Sequence, residues 1–416
     1  MNQAKKKNKK KNSLIFFKLG EKIKQALPYL FIFFLPTQLG KHFFFSFSYL
    51  NGVRVDYLAP TLYLIDIIFF LIIIFNLPLF FSFLKQKKIL FIFLILFFNF
   101  LFSQSKPITL YSIAKIFQFL FIAYFFYKTK TSGFLILFSF FLITLTEFFL
   151  ALYQLKFGHS VEGVFYFLGE RHFNLWAPGI AKVSFFGKQL LRPYATFSHP
   201  NSLAGFYLLL YAFILTQKKF DQFLFLKNTL LFLSALLVLL SFSKVAIVCF
   251  LLVNLIFYFK KNGGCRLCFL GKIITFLTLS SLFLFSKGDV LSLEKRKELI
   301  FQSLNIIKNY PLFGVGLGNY LLAQKNFSSS FFLFFNQPAH NIFLLLLAEI
   351  GIPFFIMIIF FLINFFKKNA KKIPLTTYSL LLTIIFFTGF FDHYWLTLKQ
   401  NFLILAFVWS ETLKRS

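Results

Sequence analysis

Acidic residues are few in this chain: 13 Asp and Glu stand against 44 Lys and Arg, giving a formal net charge of +31 over 416 residues. Its polar stretches contain no Asp cluster of metal-ligand type, which argues against a metal-dependent mechanism. Cysteine is scarcer still. Three cysteines cannot build a secreted disulfide framework, and Cys265-Arg266-Leu267-Cys268 lacks the second pair or nearby His that a zinc site needs. Neither a cofactor nor a metal is therefore expected. The basic residues form no stripe or patch but sit in short clusters between apolar runs, which argues against a nucleic-acid partner. Internal repeats are absent, as is low-complexity sequence beyond the N-terminal Lys/Asn segment.

What the chain has in abundance is apolar surface. With 58% hydrophobic and 22% aromatic residues and a mean hydropathy of +0.76, its solvent must largely be lipid. Its apolar runs are continuous and do not alternate in ten-residue units, so a closed β-barrel is excluded. Crossing about 30 Å of hydrocarbon at about 1.5 Å per residue needs runs near 20 residues. Such runs, several of them short, occur at 24–36, 61–81, 89–103, 108–127, 133–155, 201–216, 223–243, 245–259, 268–286, 341–366, 375–391 and 398–412. The expected fold is all-α, a polytopic transmembrane helical bundle of about 12 spans. Residues 1–23 form a basic cytoplasmic segment and 24–416 one membrane domain.

Lysine and arginine set the orientation. Under alternating spans, Lys5 to Lys11, Lys85 to Lys88, Lys128, Lys130, Lys218, Lys219, Lys260, Lys261, Arg266, Lys367 to Lys372, Lys414 and Arg415 fall on one side. That side is assigned to the cytoplasm, with both termini, in the cytoplasmic (inner) membrane. The N-terminal basic run is followed by no small-residue cleavage site and reads as a retained anchor.

Two long loops, 156–200 and 287–340, then fall on the outer side, placed to cover an outward-facing cavity. The first ends in Arg192, Pro193, Tyr194, Ala195, Thr196, Phe197, Ser198, His199, Pro200 and Asn201. Asn201 reads first as a helix N-cap beside Pro200. Arg192 has no acidic residue within ten positions on either side, so its guanidinium suits bidentate phosphate contact or, alternatively, snorkels to lipid headgroups. The second loop carries Glu294-Lys295-Arg296-Lys297-Glu298, a solvated amphipathic turn or more. It continues through Gly314, Gly316 and Gly318, whose spacing is not a dinucleotide fingerprint and suits a tight backbone turn. The loop closes on His340-Asn341 at a span start, where His340 is either a capped helix-start residue or a general base. Lys115, Glu147, Lys244 and Glu349 lie within the apolar runs, where isolated charge is costly. Each should find a partner, as a structural ion pair or as part of a polar site.

Taken together, several of these pieces resemble the O-antigen ligase and O-antigen polymerase superfamily. They are Arg192-x-x-x-Thr196-Phe197-x-His199-Pro200-Asn201, the Ser243-Lys244 step, Arg296, Tyr310 to Gly318, and His340-Asn341 with Glu349-Ile350-Gly351-Ile352, a core region of about 190–355. The resemblance implies a GT-C-like bundle and a metal-independent glycosyltransferase that moves a glycan from a polyprenyl (undecaprenyl) diphosphate carrier to a lipid or cell-surface acceptor. It implies catalytic roles for Arg192, Arg296 and His340, and substrate binding by Lys244, His199, Asn201, Asn341 and Gly316. At Lys244 such proteins usually carry arginine; lysine keeps the charge and loses the bidentate fork. Expected partners are the carrier-linked glycan, the acceptor and membrane lipids. Polysaccharide polymerisation or glycan transfer to protein, within the same superfamily, and transport of a lipid-linked glycan remain as alternatives.

Overall fold

The computed structural model describes residues 2–185, 187–260, 277, 280–281, 283, 285–286, 291–327, 336–369 and 375–414. The Cys265–Cys268 pair and most of the 268–286 run lie outside these residues. The fold is helical, as its apolar runs require. The first half contains α1 (Asn2–Phe34), α2 (Leu64–Phe75), α3 (Leu77–Leu84), α4 (Lys87–Leu101), α5 (Lys106–Lys128) and α6 (Gly133–Phe157). The second half contains α7 (Pro200–Thr216), α8 (Leu224–Leu240), α9 (Lys244–Lys260), α10 (Leu291–Asn309), α11 (Tyr320–Gln324), α12 (Ile342–Ile350), α13 (Ile352–Asn369), α14 (Leu375–Gly389), α15 (Tyr394–Thr397) and α16 (Lys399–Leu413).

Among the described residues, three helical stretches are long and apolar enough to cross a membrane: Lys106–Lys128, Gly133–Phe157 and Lys218–Leu240. A fourth is possible if α2 and α3, bent by 93°, count as one span. The other apolar helices, among them α7 and α9, are shorter. Local chemistry sets the lengths. The Ser132 hydroxyl caps α6 by accepting from Leu135 N, and Gly158 ends it in the left-handed region (φ 73°). Asn76 and Pro78 interrupt the 61–81 run, because a proline in the first turn starts a new helix.

The run at 341–366, expected as one span, is two helices broken at Gly351. Its φ of +78° is open to glycine, and an added Cβ would lie 2.4 Å from the Leu312 carbonyl oxygen. The Gly314–Gly318 strap fills the break. Val315 N and Gly316 N donate to the Ala348 and Glu349 carbonyls that end α12, and Ile352 N donates to the Pro311 carbonyl. These bonds satisfy backbone groups that a helix end leaves unpaired.

α7 is buried on nearly every side. It packs against α8, α9, α14 and α16 in a core of Phe, Leu and Ile that includes Phe197, Phe206, Phe213 and Phe407. The buried charges find partners. Lys399 pairs with Asp66 at 2.5 Å, and Gln118 also donates to Asp66. Glu349 accepts from the backbone at Gly318 and Tyr320 and faces Lys115. The glycine strap thus wraps a carboxyl group of the chain itself.

Three connections, rather than two, are structured. Residues 40–63 form two antiparallel hairpins, β1 (Gly40–His42) with β4 (Thr61–Tyr63) and β2 (Tyr49–Leu50) with β3 (Val53–Arg54). The 156–200 loop holds a hairpin of β5 (Lys182–Phe185) and β6 (Lys188–Leu191). The charged segment around Arg296 is helical, as expected, and belongs to the 19 residues of α10.

Candidate functional site

The site begins at the N-terminus of α7. Pro200 occupies the first turn, where its missing N–H costs nothing. The N-cap is His199, not Asn201: His199 Nδ1 accepts from Asn201 N at 3.1 Å, which frees the Asn201 side chain. The segment leading into the cap is clamped from α6. Gln154 Oε1 accepts from Tyr194 N and Ala195 N at 2.9 and 2.7 Å, and Gln154 Nε2 donates to the Ala195 carbonyl at 3.1 Å. These bonds hold Ala195 at φ +49°, a strained value for a residue with a Cβ. Two turns earlier on α6, the Glu147 carboxylate accepts from Thr196 N and Oγ1 at 3.0 and 2.5 Å.

That clamp fixes where Arg192 points. Its Nε donates to the Ser241 carbonyl at 2.9 Å, and its Nη2 donates to Asn201 Oδ1 at 2.6 Å. Asn201 Nδ2 in turn donates to Asp392 Oδ2 at 2.8 Å, while Asp392 Oδ1 accepts from His393 N at 2.8 Å. The His393 ring, paired through Nδ1 with Thr397 Oγ1, stands edge-to-face with His340 at a centroid separation of 5.1 Å. His340 Nδ1 is enclosed without a partner among the described residues. The charge of Arg296, on α10, acts on Arg192, His199, His340 and His393 together. Residues far apart in sequence thus meet at one end of the bundle.

Burial governs the protonation states. It depresses His340 to about 3 against the opposing pull of Asp392, and His393, Arg296 and His199 add to the fall. His199 falls to about 3 by burial and by the Arg192 charge. Both imidazoles are neutral at pH 7. Arg192, lowered to about 10 by burial against Tyr194 and Asp392, keeps its charge. Burial pushes the Asp392 carboxyl up, but His393, His340, His199 and the Asn201 amide outweigh it, and the group stays ionised. The arrangement brings two cations, one carboxylate and a neutral imidazole within electrostatic reach of one another. Such a set can hold an anion on one side and accept a proton on the other.

Of the residues expected from sequence, Arg192, His199, Asn201, Arg296 and His340 are brought together. Asn341 is the N-cap of α12: its Oδ1 accepts from Phe343 N and Leu344 N at 2.9 and 3.0 Å, so it sets the direction of His340. Lys244 is exposed at the start of α9, three residues after the Ser241 carbonyl that Arg192 grips. Gly316 is not brought to the cluster. Its N–H is bonded to Glu349, and its φ of +94° and tight contact with Ser103 explain the glycine as packing. Sequence reasoning missed Asp392 and His393. Their signal was available, since Asp392 and Glu411 are the only acids after Glu349. Among the described residues, no group of three His, Cys, Asp or Glu side chains is arranged to hold a metal ion.

No curated protein matches the chain. A family match does exist. It takes in Lys244, Arg296, Gly316, His340 and Asn341, while Arg192, His199, Asn201 and Asp392 fall outside it. Residues 202–359 match the family model described as O-antigen ligase, and the chain carries a domain of the O-antigen ligase superfamily.

Proposed function

We propose that the chain is a metal-independent glycosyltransferase of the cytoplasmic membrane that moves a glycan from a polyprenyl diphosphate carrier to a lipid or cell-surface acceptor. The observation that carries this reading is the Arg192–Asn201–Asp392 chain of hydrogen bonds beside His340, whose Nδ1 has no partner among the described residues. An acceptor hydroxyl attacks the anomeric carbon of the carrier-linked glycan, and the bond from that carbon to the diphosphate oxygen breaks. The departing diphosphate gathers negative charge, which Arg192 and Arg296 stabilise in a water-poor site. His340 takes the acceptor's proton, and Asp392 offsets the positive charge that then forms on the imidazole. Attack opposite the leaving group inverts the anomeric centre.

In this reading about a dozen apolar segments lie in the bilayer, both termini are cytoplasmic, and the site faces outward. The broken helices on either side of Gly351 are tolerated because the glycine strap pairs their ends inside protein. Mass analysis of the acceptor from cells with and without the protein tests the proposal. Loss of a glycan from a lipid or surface acceptor is expected. A change confined to the chain length of the carrier-linked glycan would assign polymerisation instead, and a glycan lost from protein would assign protein transfer.

A further inference from the structure

The hairpins of residues 40–63 lie outside the matched family region, yet they are fastened to the elements that carry the site. Leu50, Val55 and Leu58 are 1%, 6% and 2% exposed and belong to one apolar cluster with Ile306, Ala339 and Leu345. Ile306 is on α10 with Arg296, and Ala339 directly precedes His340. The other end is tied by Tyr111, whose hydroxyl accepts from Thr61 N at 3.2 Å and donates to the Thr61 carbonyl at 3.1 Å. Arg54 pairs with Asp56 at 3.3 Å across the turn that holds the tip.

Tyr57 sits between the two buried anchors Val55 and Leu58 and is itself 41% exposed. The buried neighbours fix the place of this aromatic while part of its ring stays open. Its ring stands edge-to-face with His393 at 5.7 Å, and the same imidazole stands edge-to-face with His340. The charges of Asp392 and Arg171 reach its phenol. On the opposite side of Asp392 lie Asn201 and Arg192, where a leaving diphosphate would be held. Tyr57 is thus placed on the His393 side of Asp392, and Arg192 on its Asn201 side.

An electron-rich aromatic face attracts partly positive C–H groups, and one face of a pyranose ring presents several of them. We propose that Tyr57 is the platform on which a sugar ring of the acceptor stacks while its attacking hydroxyl points at His340. The inference rests on the glycan-transfer reading of the same site and adds to it the class of acceptor, a glycan rather than a bare lipid or hydroxyl side chain.

Two measurements separate its fate from that of the transfer reading. Saturation-transfer NMR on the full chain in nanodiscs, with methyl hexopyranosides as probe, reports stacking without needing catalysis. Transfer to ring C–H protons is expected for the wild type and Tyr57→Phe, with loss of about threefold or more in Tyr57→Ala. No saturation transfer in the wild type, or equal transfer in Tyr57→Ala, would overturn the platform whether or not the chain transfers glycan. In membranes titrated with acceptor extract, Tyr57→Ala is expected to raise the half-saturating acceptor concentration about tenfold with a nearly unchanged maximal rate. An effect on the donor alone would also overturn it. Stacking that depends on Tyr57 in a protein that transfers no glycan would retain the sugar site and reject the enzyme.

Discussion

Asn201 donates to Asp392 across 191 positions of sequence, at 2.8 Å, and with its other amide atom accepts from Arg192. One side chain thereby holds a cation and a carboxylate at a fixed separation without letting them pair directly. A direct Arg192–Asp392 ion pair would cancel the positive charge that the proposed leaving group needs; the amide between them keeps both charges available.

Asn201→Ala should therefore lower the rate of glycan transfer by about 100-fold, as expected when one positioned hydrogen-bond group is lost from an electrostatic site. The His199 cap of α7 remains, but Arg192 and the buried Asp392 each lose a hydrogen bond, so a stability loss of about 1–3 kcal/mol is expected as well. A transfer rate within threefold of wild type would remove Asn201 from the site.

Gln154 acts one step further back. Substitution by Leu strips four hydrogen bonds from Tyr194 N, Ala195 N, the Ala195 carbonyl and Glu170, and leaves Ala195 in a left-handed conformation without support. A loss of about 3 kcal/mol in unfolding free energy is expected, together with reduced transfer per folded molecule as Arg192 loses its fixed direction. Denaturant titration followed by activity of the folded fraction separates the two effects.

Gly316→Ala should behave differently. The added methyl meets Ser103 Cβ at 2.3 Å in a backbone conformation that disfavours any Cβ, so a stability loss of about 3 kcal/mol is expected. Transfer per folded molecule should be unchanged. An altered KM for the carrier-linked donor at unchanged stability would instead return Gly316 to the substrate site.

Stability should also depend on pH in a defined window. His199 and His340 titrate near 3 in the folded protein and near 6.5 when unfolded. Between these values the unfolded chain binds more protons, so stability is fully present above about pH 6.5 and is lost as pH falls. The melting temperature in detergent should drop between pH 6.5 and 5, less steeply in His199→Asn, which can still cap α7 but cannot titrate. An equal slope in the variant would contradict the buried, neutral assignment of His199.

Much of the site was legible in sequence, and what was missed has physical causes. Arg192, Arg296 and His340 stand out because charge and imidazole are rare next to apolar runs. Asp392 and His393 abut the end of an apolar run, where hydropathy reads them as a boundary and gives no hint of their partners. Tyr57 is one aromatic among many, and its ring contact with His393, more than 300 positions away, is what distinguishes it. The helix break at Gly351 was hidden for a related reason: hydropathy sums side chains, whereas a positive φ and a backbone strap are properties of the main chain. Glu147 was recognisable as a buried charge in need of a partner, but that partner, Thr196, lies 49 positions away.

The proposed role of Arg192, on the 156–200 loop, and Arg296, on α10, is to stabilise a leaving diphosphate beside His340. It is tested most directly by glycan transfer in membranes carrying Arg296→Ala, with insertion checked by the amount of protein in the membrane fraction. Normal insertion is expected, with transfer reduced by about 1,000-fold or more, comparable to Arg192→Ala and His340→Ala. Full transfer by Arg296→Ala at normal insertion would contradict it.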